Sequence, residues 1–536
     1  MLRIALCLSG WLCLLTPVAS SAAMPAEVTI SRGAFLLRSA TDTISVERFE
    51  RSATRIRGEL LFRLADQRWT YTLELDPWDG HVTHMQSEFR LATAGVDAPP
   101  LQSGSLEFIG DSVFASAGTG VTERIATRRG ATPFVNPSFV MQELLARLAL
   151  AQGPDTHTSA FALSGASTFD VHVMRVGADS VVLAVGNVAM RVRVNAAGDI
   201  LGGVIPTQGL TLTRLADTDD SLFTSAGPDY SAPAGAPYTA TEVRVPTRGG
   251  FSLAGTLTLP MRADGRVPCV ITVSGSGPQE RDERIAGVKG YRIFQQIADE
   301  LGRRGIAVLR LDDRGVGASG GRFKGATSLD FVADVNDAIA WLRREARIDG
   351  ARLALLGHSE GGLIAPMVAE HDAQLRGIVL MAGPAYTGRR IIQYQNGAAV
   401  DRGRPASPAA RDSLLRLAMA DVDSIAKVDP WLRYFLEHDP LTVAARVRTP
   451  ALVMQGGTDR QVTAEQAELL AKALRSGGNK AVELRRFAAL DHLFLKDASG
   501  DPLGYARLTD VMVPAEVLRT LANWLQARLT GARPGY

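Results

Sequence analysis

Residues 353–368 read LALLGHSEGGLIAPMV, and this stretch decides the fold expected for the second half of the chain. An apolar run leads into Gly357-His358-Ser359-Glu360-Gly361, and a second apolar run follows at once. A serine between two glycines at such a junction is typical of a tight strand-to-helix turn that exposes the serine hydroxyl. The pattern predicts that Ser359 is a nucleophile, with the first amides of the next helix directed at the same point.

The same five-residue pattern occurs again at Gly317-Ala318-Ser319-Gly320-Gly321. There, seven residues separate the apolar segment 306–311 from the serine, and RFKGATS follows in place of an apolar helix. The motif alone therefore does not identify a nucleophile, and the strand before and helix after it favour Ser359.

The segments around Ser359 predict an open sheet with helices on both faces. Short apolar runs without polar alternation are typical of strands that are buried on both sides. Here they alternate with helical periodicity, which predicts a mostly parallel, doubly covered sheet with its active groups on loops at the carboxyl ends of the strands. A helical stretch at about 384–448 is too long for a simple crossover, and we expect it to be a cap insertion over the active edge. The predicted strands are 268–275, 306–313, 352–359, 377–383, 451–457 and 482–487.

A serine hydroxyl needs a base and a carboxylate that orients the base. His492 comes just after the predicted strand 482–487, and Asp459 comes just after the strand that ends in two glycines at 456–457. The order Ser359, Asp459, His492 is one of the known chain orders of a catalytic triad. His358 adjoins the serine but is expected to point away along the turn. The rival acids are Asp491 and Asp497, and neither follows a strand.

An acyl-transfer site also needs two backbone amides that bind the oxyanion. The amide of Glu360, directly after the nucleophile, is the first. The second is expected from the loop Ser274-Gly275-Ser276-Gly277-Pro278 after an early strand, where glycines let the backbone approach a substrate. We assign it to Ser276, with Gly275 and Gly277 as alternatives.

The first 240 residues carry no motif for chemistry. Residues 1–23 resemble a secretory signal, with Arg3, an apolar core and the small residues SSAA at 20–23, and they predict export to the periplasm or the outside. Residues 24–215 alternate as strands and predict a mostly antiparallel β domain with one helix at 138–151. Residues 216–240 have the composition of a linker, and 241–530 form the predicted α/β domain.

Composition excludes several classes of function. The chain has 58 Lys and Arg against 56 Asp and Glu, so nothing suggests a nucleic-acid partner. Only Cys269 lies outside the signal, which precludes an intrachain disulfide. His81 and His84 do not alternate regularly with carboxylates along the chain, and we interpret them as surface residues. We therefore expect neither a metal nor an organic cofactor. No later segment is apolar enough to span a bilayer, and a homo-oligomer is compatible with the sequence.

Four motifs, taken in order, resemble the α/β-hydrolase superfamily over about 241–530. They are SGSGPQERD, LRLDDRGVGASGG, LLGHSEGGLIAPMVA and MQGGTDRQV. The chain is similar to bacterial serine esterases close to the dipeptidyl-peptidase-like and serine-aminopeptidase-like hydrolases. The resemblance implies that Asp313-Arg314-Gly315 is mainly structural, and it does not extend to the N-terminal β domain.

Three functions follow as alternatives. The first is hydrolysis of carboxylic esters with small or medium acyl groups through an acyl-enzyme. The second is an exopeptidase for short peptides, in which Glu360 or acids of the cap would receive the free amino terminus. The third is a non-enzymatic protein whose β domain binds a glycan or protein, and the intact triad argues against it.

Overall fold

The computed structural model describes residues 31–531 apart from short gaps, and these residues form two β-sheets with helices. The predicted signal peptide, 1–23, lies outside the described residues. Within the described ranges, no helix is both long and apolar enough to cross a bilayer. The gaps are 40–41, 64–66, 93–99, 101, 118–120, 164–165, 186–187, 219, 224–227, 262–264, 286–287 and 403.

The first sheet has 15 strands and runs as a meander in which neighbours in space are neighbours in sequence, apart from the pairing of β1 with β15. All pairs are antiparallel except β9 with β10. The predicted mostly antiparallel β domain is therefore confirmed. The strands are β1 (Ser31–Arg38), β2 (Thr43–Arg51), β3 (Arg55–Phe62), β4 (Gln67–Leu75), β5 (Val82–Leu91), β6 (Gln102–Ile109), β7 (Ser112–Ala117), β8 (Val121–Ala126), β9 (Thr132–Phe134), β10 (Asp155–Ala162), β11 (Ser167–Arg175), β12 (Ser180–Val185), β13 (Val188–Val194), β14 (Ile200–Ile205) and β15 (Leu210–Leu215).

One helix, α1 (Phe139–Gln152), packs against this sheet and shares its hydrophobic core. Ser138 caps its N-terminus by accepting a hydrogen bond from the amide of Met141. The buried carboxylate of Glu47 on β2 accepts from the amides of Phe139 and Val140 at 2.6 and 3.0 Å. A negative group at a helix N-terminus satisfies free amides and the helix dipole, so Glu47 joins the helix to the sheet.

The second sheet has eight strands in the order β16-β17-β19-β18-β20-β21-β22-β23. The two pairs at one edge are antiparallel, and the remaining pairs are parallel. All residues of β18, β21 and β22 are buried, as their unbroken apolar sequences predict. The strands are β16 (Tyr238–Pro246), β17 (Ser252–Pro260), β18 (Val267–Val273), β19 (Ala307–Leu311), β20 (Ile348–His358), β21 (Gly377–Met381), β22 (Ala451–Gly456) and β23 (Val482–Phe487).

Helices cover both faces of this sheet. One core includes residues of α3, α4 and α9, and another core includes residues of α2 and α10. The predicted doubly covered, mostly parallel sheet is therefore confirmed. The helices are α2 (Ile293–Arg303), α3 (Ser328–Leu342), α4 (Gly361–Ala369), α5 (Gly388–Arg402), α6 (Pro408–Val428), α7 (Pro430–Glu437), α8 (Pro440–Ala444), α9 (Glu465–Ser476) and α10 (Ala515–Thr530).

The predicted cap insertion between β21 and β22 contains α5 to α8. Three of these helices begin with a proline that follows Ser407, Asp429 or Asp439, whose side chains accept from amides of the first turn. Proline fits the first helical position, and serine and aspartate are good N-caps. Local sequence thus explains where the cap helices start.

The segment predicted as a linker, 216–240, is attached to both sheets. Phe223 is buried beside residues of the first sheet. The Tyr230 hydroxyl donates to Glu280 at 2.7 Å, and strand β16 begins at Tyr238, inside the predicted linker. Tyr230 also lies against the guanidinium of Arg281, 4.2 Å from the ring centroid. These contacts place the segment beside the loop that follows β18.

Candidate active site

Ser359 lies at the turn between β20 and α4, in a left-handed backbone conformation with φ of +54°. Such a conformation is strained for any residue with a side chain. The glycines on either side allow the turn, because a Cβ on Gly357 would lie 2.0 Å from the carbonyl oxygen of Gly361, and one on Gly361 would lie 2.0 Å from that of Val273. The sequence pattern therefore has a steric cause at this position.

His492 and Asp459 are joined by a hydrogen bond of 2.8 Å between Nδ1 and Oδ2. Both side chains are buried. The other oxygen of Asp459 accepts from the amides of Gln461 and Val462 at 2.8 and 2.9 Å, and Oδ2 also accepts from Gln455. The carboxylate is thus held firmly by the loop after β22, and it can hold one tautomer of the imidazole.

Ser359 and His492 line the same cavity, which has a volume of about 440 Å³. Ser276 and Glu360 also line it, while Asp459 stands behind His492. The cap contributes apolar walls from α5 and α7, including Ile391 and Trp431. The structure therefore brings all five predicted site residues to one place beneath the cap.

Comparisons with known proteins identify relatives of the second half of the chain. Residues 287–499 match the family model described as Serine aminopeptidase, S33. The chain is 30% identical over 256 residues to an uncharacterized protein of Mycobacterium tuberculosis, covering 47% of this chain and 73% of that protein. The chain belongs to the α/β-hydrolase superfamily.

Two further relatives of this α/β-hydrolase have names. Esterase EstD of Thermotoga maritima is 29% identical over 280 residues, which are 51% of this chain and 65% of that protein. Dipeptidyl aminopeptidase BIII of Pseudoxanthomonas mexicana is 27% identical over 246 residues, covering 44% of this chain and 32% of that protein. The chain thus spans less than two thirds of either relative. The residues that match the family model, 287–499, include Ser359, Asp459 and His492 but not Ser276.

In the loop after β18 of this α/β-hydrolase, one of the three amides considered for the oxyanion already has a partner. The Gly275 amide donates to Glu283 Oε1 at 2.6 Å, so it is already engaged. The side chain of Ser274 and the amide of Gln279 both donate to the half-buried Asp313, at 2.9 and 3.0 Å. Burial raises the pKa of Asp313 well above its ordinary value. Asp313 is thus a structural anchor of the loop, as the resemblance implies.

His358 and Glu283 form a buried pair beside the nucleophile that the sequence did not reveal. His358 Nδ1 lies 3.0 Å from Glu283 Oε1, and Nε2 lies 2.8 Å from the backbone oxygen of His492. A carboxylate oxygen and a backbone oxygen both accept hydrogen bonds, so this arrangement favours a ring that donates from both nitrogens. Burial would lower the pKa of His358, but Glu283, the backbone oxygen of His492 and Asp459 together outweigh this effect, and the pKa is raised. One chain of contacts thus connects the Gly275 loop to the His492 loop.

The Glu360 side chain is 3% exposed and is already occupied by two donors. Ser328 Oγ donates at 2.6 Å, and Trp431 Nε1 of the cap donates at 2.9 Å. This contact attaches α7 of the cap to the residue after Ser359. The partners lie 32 and 71 residues from Glu360 in sequence, so no local signal marks them.

The second serine motif of the chain has a different role. The Ser319 hydroxyl donates to the backbone oxygen of Asp312 and accepts from the amide of Ala254, both at 2.8 Å. It joins the loop after β19 to strand β17. The rival acid Asp491 accepts from the amides of Leu493 and Leu495 and therefore shapes the loop that carries His492.

Proposed function

We propose that this α/β-hydrolase is exported and cleaves carboxylic esters of small or medium acyl groups. In this proposal, Ser359 attacks the ester carbonyl and His492 takes the serine proton. His492 then returns that proton to the leaving alcohol, and a water molecule hydrolyses the acyl-enzyme by the same route. Asp459 orients the imidazole throughout.

One observation supports the proposal most. Ser359 sits in a strained turn and faces the cavity that it shares with His492, whose Nδ1 is bonded to Asp459. A strained conformation persists only where the surrounding structure enforces it, and such strain is common at active sites. In the reaction proposed here, the amides of Glu360 and Ser276 stabilise the negative oxygen of the tetrahedral intermediate. The engagement of the Gly275 amide by Glu283 leaves Ser276 and Gly277, and of these two only Ser276 lines the cavity that contains Ser359.

The peptidase alternative is favoured by the aminopeptidase relative. It requires a group that receives the free amino terminus of a peptide. Glu360 and acids of the cap are the sequence candidates for that role, and the carboxylate of Glu360 already accepts from Ser328 and Trp431. Esters need no such receptor, and the occupied carboxylate is the reason we place ester hydrolysis first.

The experiment treats the full chain with a fluorophosphonate and maps the labelled residue by mass spectrometry. We expect the label on Ser359, and we expect Ser359→Ala to lower kcat by roughly 10⁴–10⁶, the scale for loss of a triad nucleophile. Ser319→Ala is the matched control and should keep its label and its activity. A label on Ser276 or Ser319 would overturn the assignment.

A substrate panel then separates the two activities. Activated esters with acyl chains of increasing length are compared with aminoacyl anilides on the wild-type protein. We expect higher kcat/KM for the esters than for the anilides of matched size. Faster cleavage of the anilides would favour the peptidase.

A further inference from the structure

The first sheet encloses a cavity that the proposed chemistry does not use. Its volume is about 350 Å³, and it lies between α1 and strands of the 15-stranded sheet. Its walls come from β1 to β3 on one side and from β11 to β15 on the other. Protein interiors contain few voids larger than a water molecule, so a space of this size is not ordinary packing.

The inner part of the cavity is apolar. Buried side chains line it, among them Leu37, Phe139, Leu145, Leu183 and Met190. Among the described residues that line it, none carries a charge. An ordered water needs two to four polar partners, which these side chains do not offer. The inner part is therefore suited to a hydrocarbon group.

The rim of the cavity is different. Asn136 and Gln208 line it and are exposed, and Gln142 of α1 is partly exposed. Their amides can donate and accept hydrogen bonds but provide no charge. Val188 also lies at the rim, with 38% of its surface exposed. The cavity thus changes from apolar inside to polar and neutral at its opening.

We propose that this cavity binds the aliphatic chain of a single-chain amphiphile whose head group is neutral and forms hydrogen bonds. The volume of about 350 Å³ is near the lower end of the range for ligand pockets, which favours one chain over two. A charged head group gains no charged partner among the described residues of the rim and loses part of its hydration there. The site is separate from Ser359 and does not depend on the hydrolase function.

Binding is tested with the full chain carrying Ser359→Ala, which prevents turnover of the ligand by the proposed nucleophile. Monoacylglycerols with chains of 8, 10 and 12 carbons, kept as monomers, serve as probes in titration calorimetry. Each buried methylene should lower Kd by about fourfold until the cavity is filled. No dependence on chain length, or no binding, would overturn the proposal.

A cavity-filling variant locates the site. Val185 lines the cavity on β12, and Val185→Trp should weaken binding of the 12-carbon probe by about tenfold or more. Val204→Trp is the control, because Val204 lies on β14 with 41% of its surface exposed and does not line the cavity. It introduces the same side chain and should leave Kd unchanged. Equal Kd values for both variants, with both folded by circular dichroism, would contradict the assignment.

A charged probe tests the chemistry of the head group. Laurate has the same acyl chain with a charged head group, and it should bind more weakly than monolauroylglycerol.

Other occupants of the cavity would give different results. If the protein binds neutral phospholipid vesicles and Val185→Trp abolishes that binding, the cavity is a membrane contact and the proposal is overturned. A change of sedimentation coefficient in Val185→Trp would instead indicate an interface between copies of this chain, and would also overturn it. Cleavage of a small activated ester by the Val185→Trp chain with Ser359 intact tests the hydrolase function independently.

Discussion

Removal of the His358 side chain tests what the buried pair beside Ser359 contributes. His358 and Glu283 are 2% and 1% exposed, and the second Glu283 oxygen has no hydrogen-bond partner among the described residues. His358→Ala leaves that carboxylate buried without its cation. Loss of one partner from a buried ion pair costs about 3–5 kcal/mol, so the free energy of unfolding should fall by that amount.

We expect His358→Ala to lower kcat much less than removal of the base, His492. His358 contacts His492 through a hydrogen bond to its backbone oxygen, at 2.8 Å, and through the two rings, whose centroids are 5.0 Å apart. A hydrogen bond to a charged group contributes about 1.5–3 kcal/mol, which is about 10–150-fold in rate if all of it is lost in the transition state. His492→Ala should cost roughly 10⁴–10⁶, the scale for a triad member.

The assays are urea unfolding and the acyl-enzyme burst with an activated ester. His371 is exposed, and His371→Ala is the control that should change neither. The double variant Glu283→Gln/His358→Ala removes both charges and should be less destabilised than the sum of the two single changes. Equal losses of kcat in His358→Ala and His492→Ala would refute the assignment of the base. Additive losses of stability would refute the pairing with Glu283.

Three further changes have defined outcomes. Burial raises the pKa of Asp491 to about 6, above its value near 3.8 in the unfolded chain, so the folded state favours the protonated carboxyl. This contribution to stability is fully present below pH 3.8 and is lost as the pH rises through 6. Asp491→Asn should remove this decline in urea unfolding between pH 4 and 7, and an unchanged decline would contradict the buried carboxyl. Asp459→Asn should lower kcat by about 10⁴ with the fold intact by circular dichroism, because it favours the wrong tautomer of the base, and a near-normal kcat would point to another acid. Tyr230→Phe in the full chain removes the partly buried hydrogen bond from the Tyr230 hydroxyl to Glu280 and should lower the free energy of unfolding by about 1–3 kcal/mol in urea unfolding, and an unchanged stability would count against this contact.

The sequence by itself determined the features that depend on neighbours along the chain. The turn at Ser359 depends on glycines at positions where a Cβ would clash with the backbone, and three of the four cap helices begin at a proline that follows serine or aspartate. The unbroken apolar strands predicted a sheet buried on both faces. Because parallel strands end at one edge of such a sheet, the loops that carry Asp459 and His492 could be expected to meet there.

Only the tertiary structure decided the contacts between residues far apart in the chain. His358 and Glu283 are 75 residues apart, and Glu360 and Trp431 are 71 apart. Such pairs depend on how the loops and the cap fold over the sheet. The sequence contains many other side chains that could form the same hydrogen bonds, so it does not indicate which of them meet. The cavity under α1 has the same origin, since alternation in each strand predicts an apolar face but does not predict how strongly 15 strands curve around one helix.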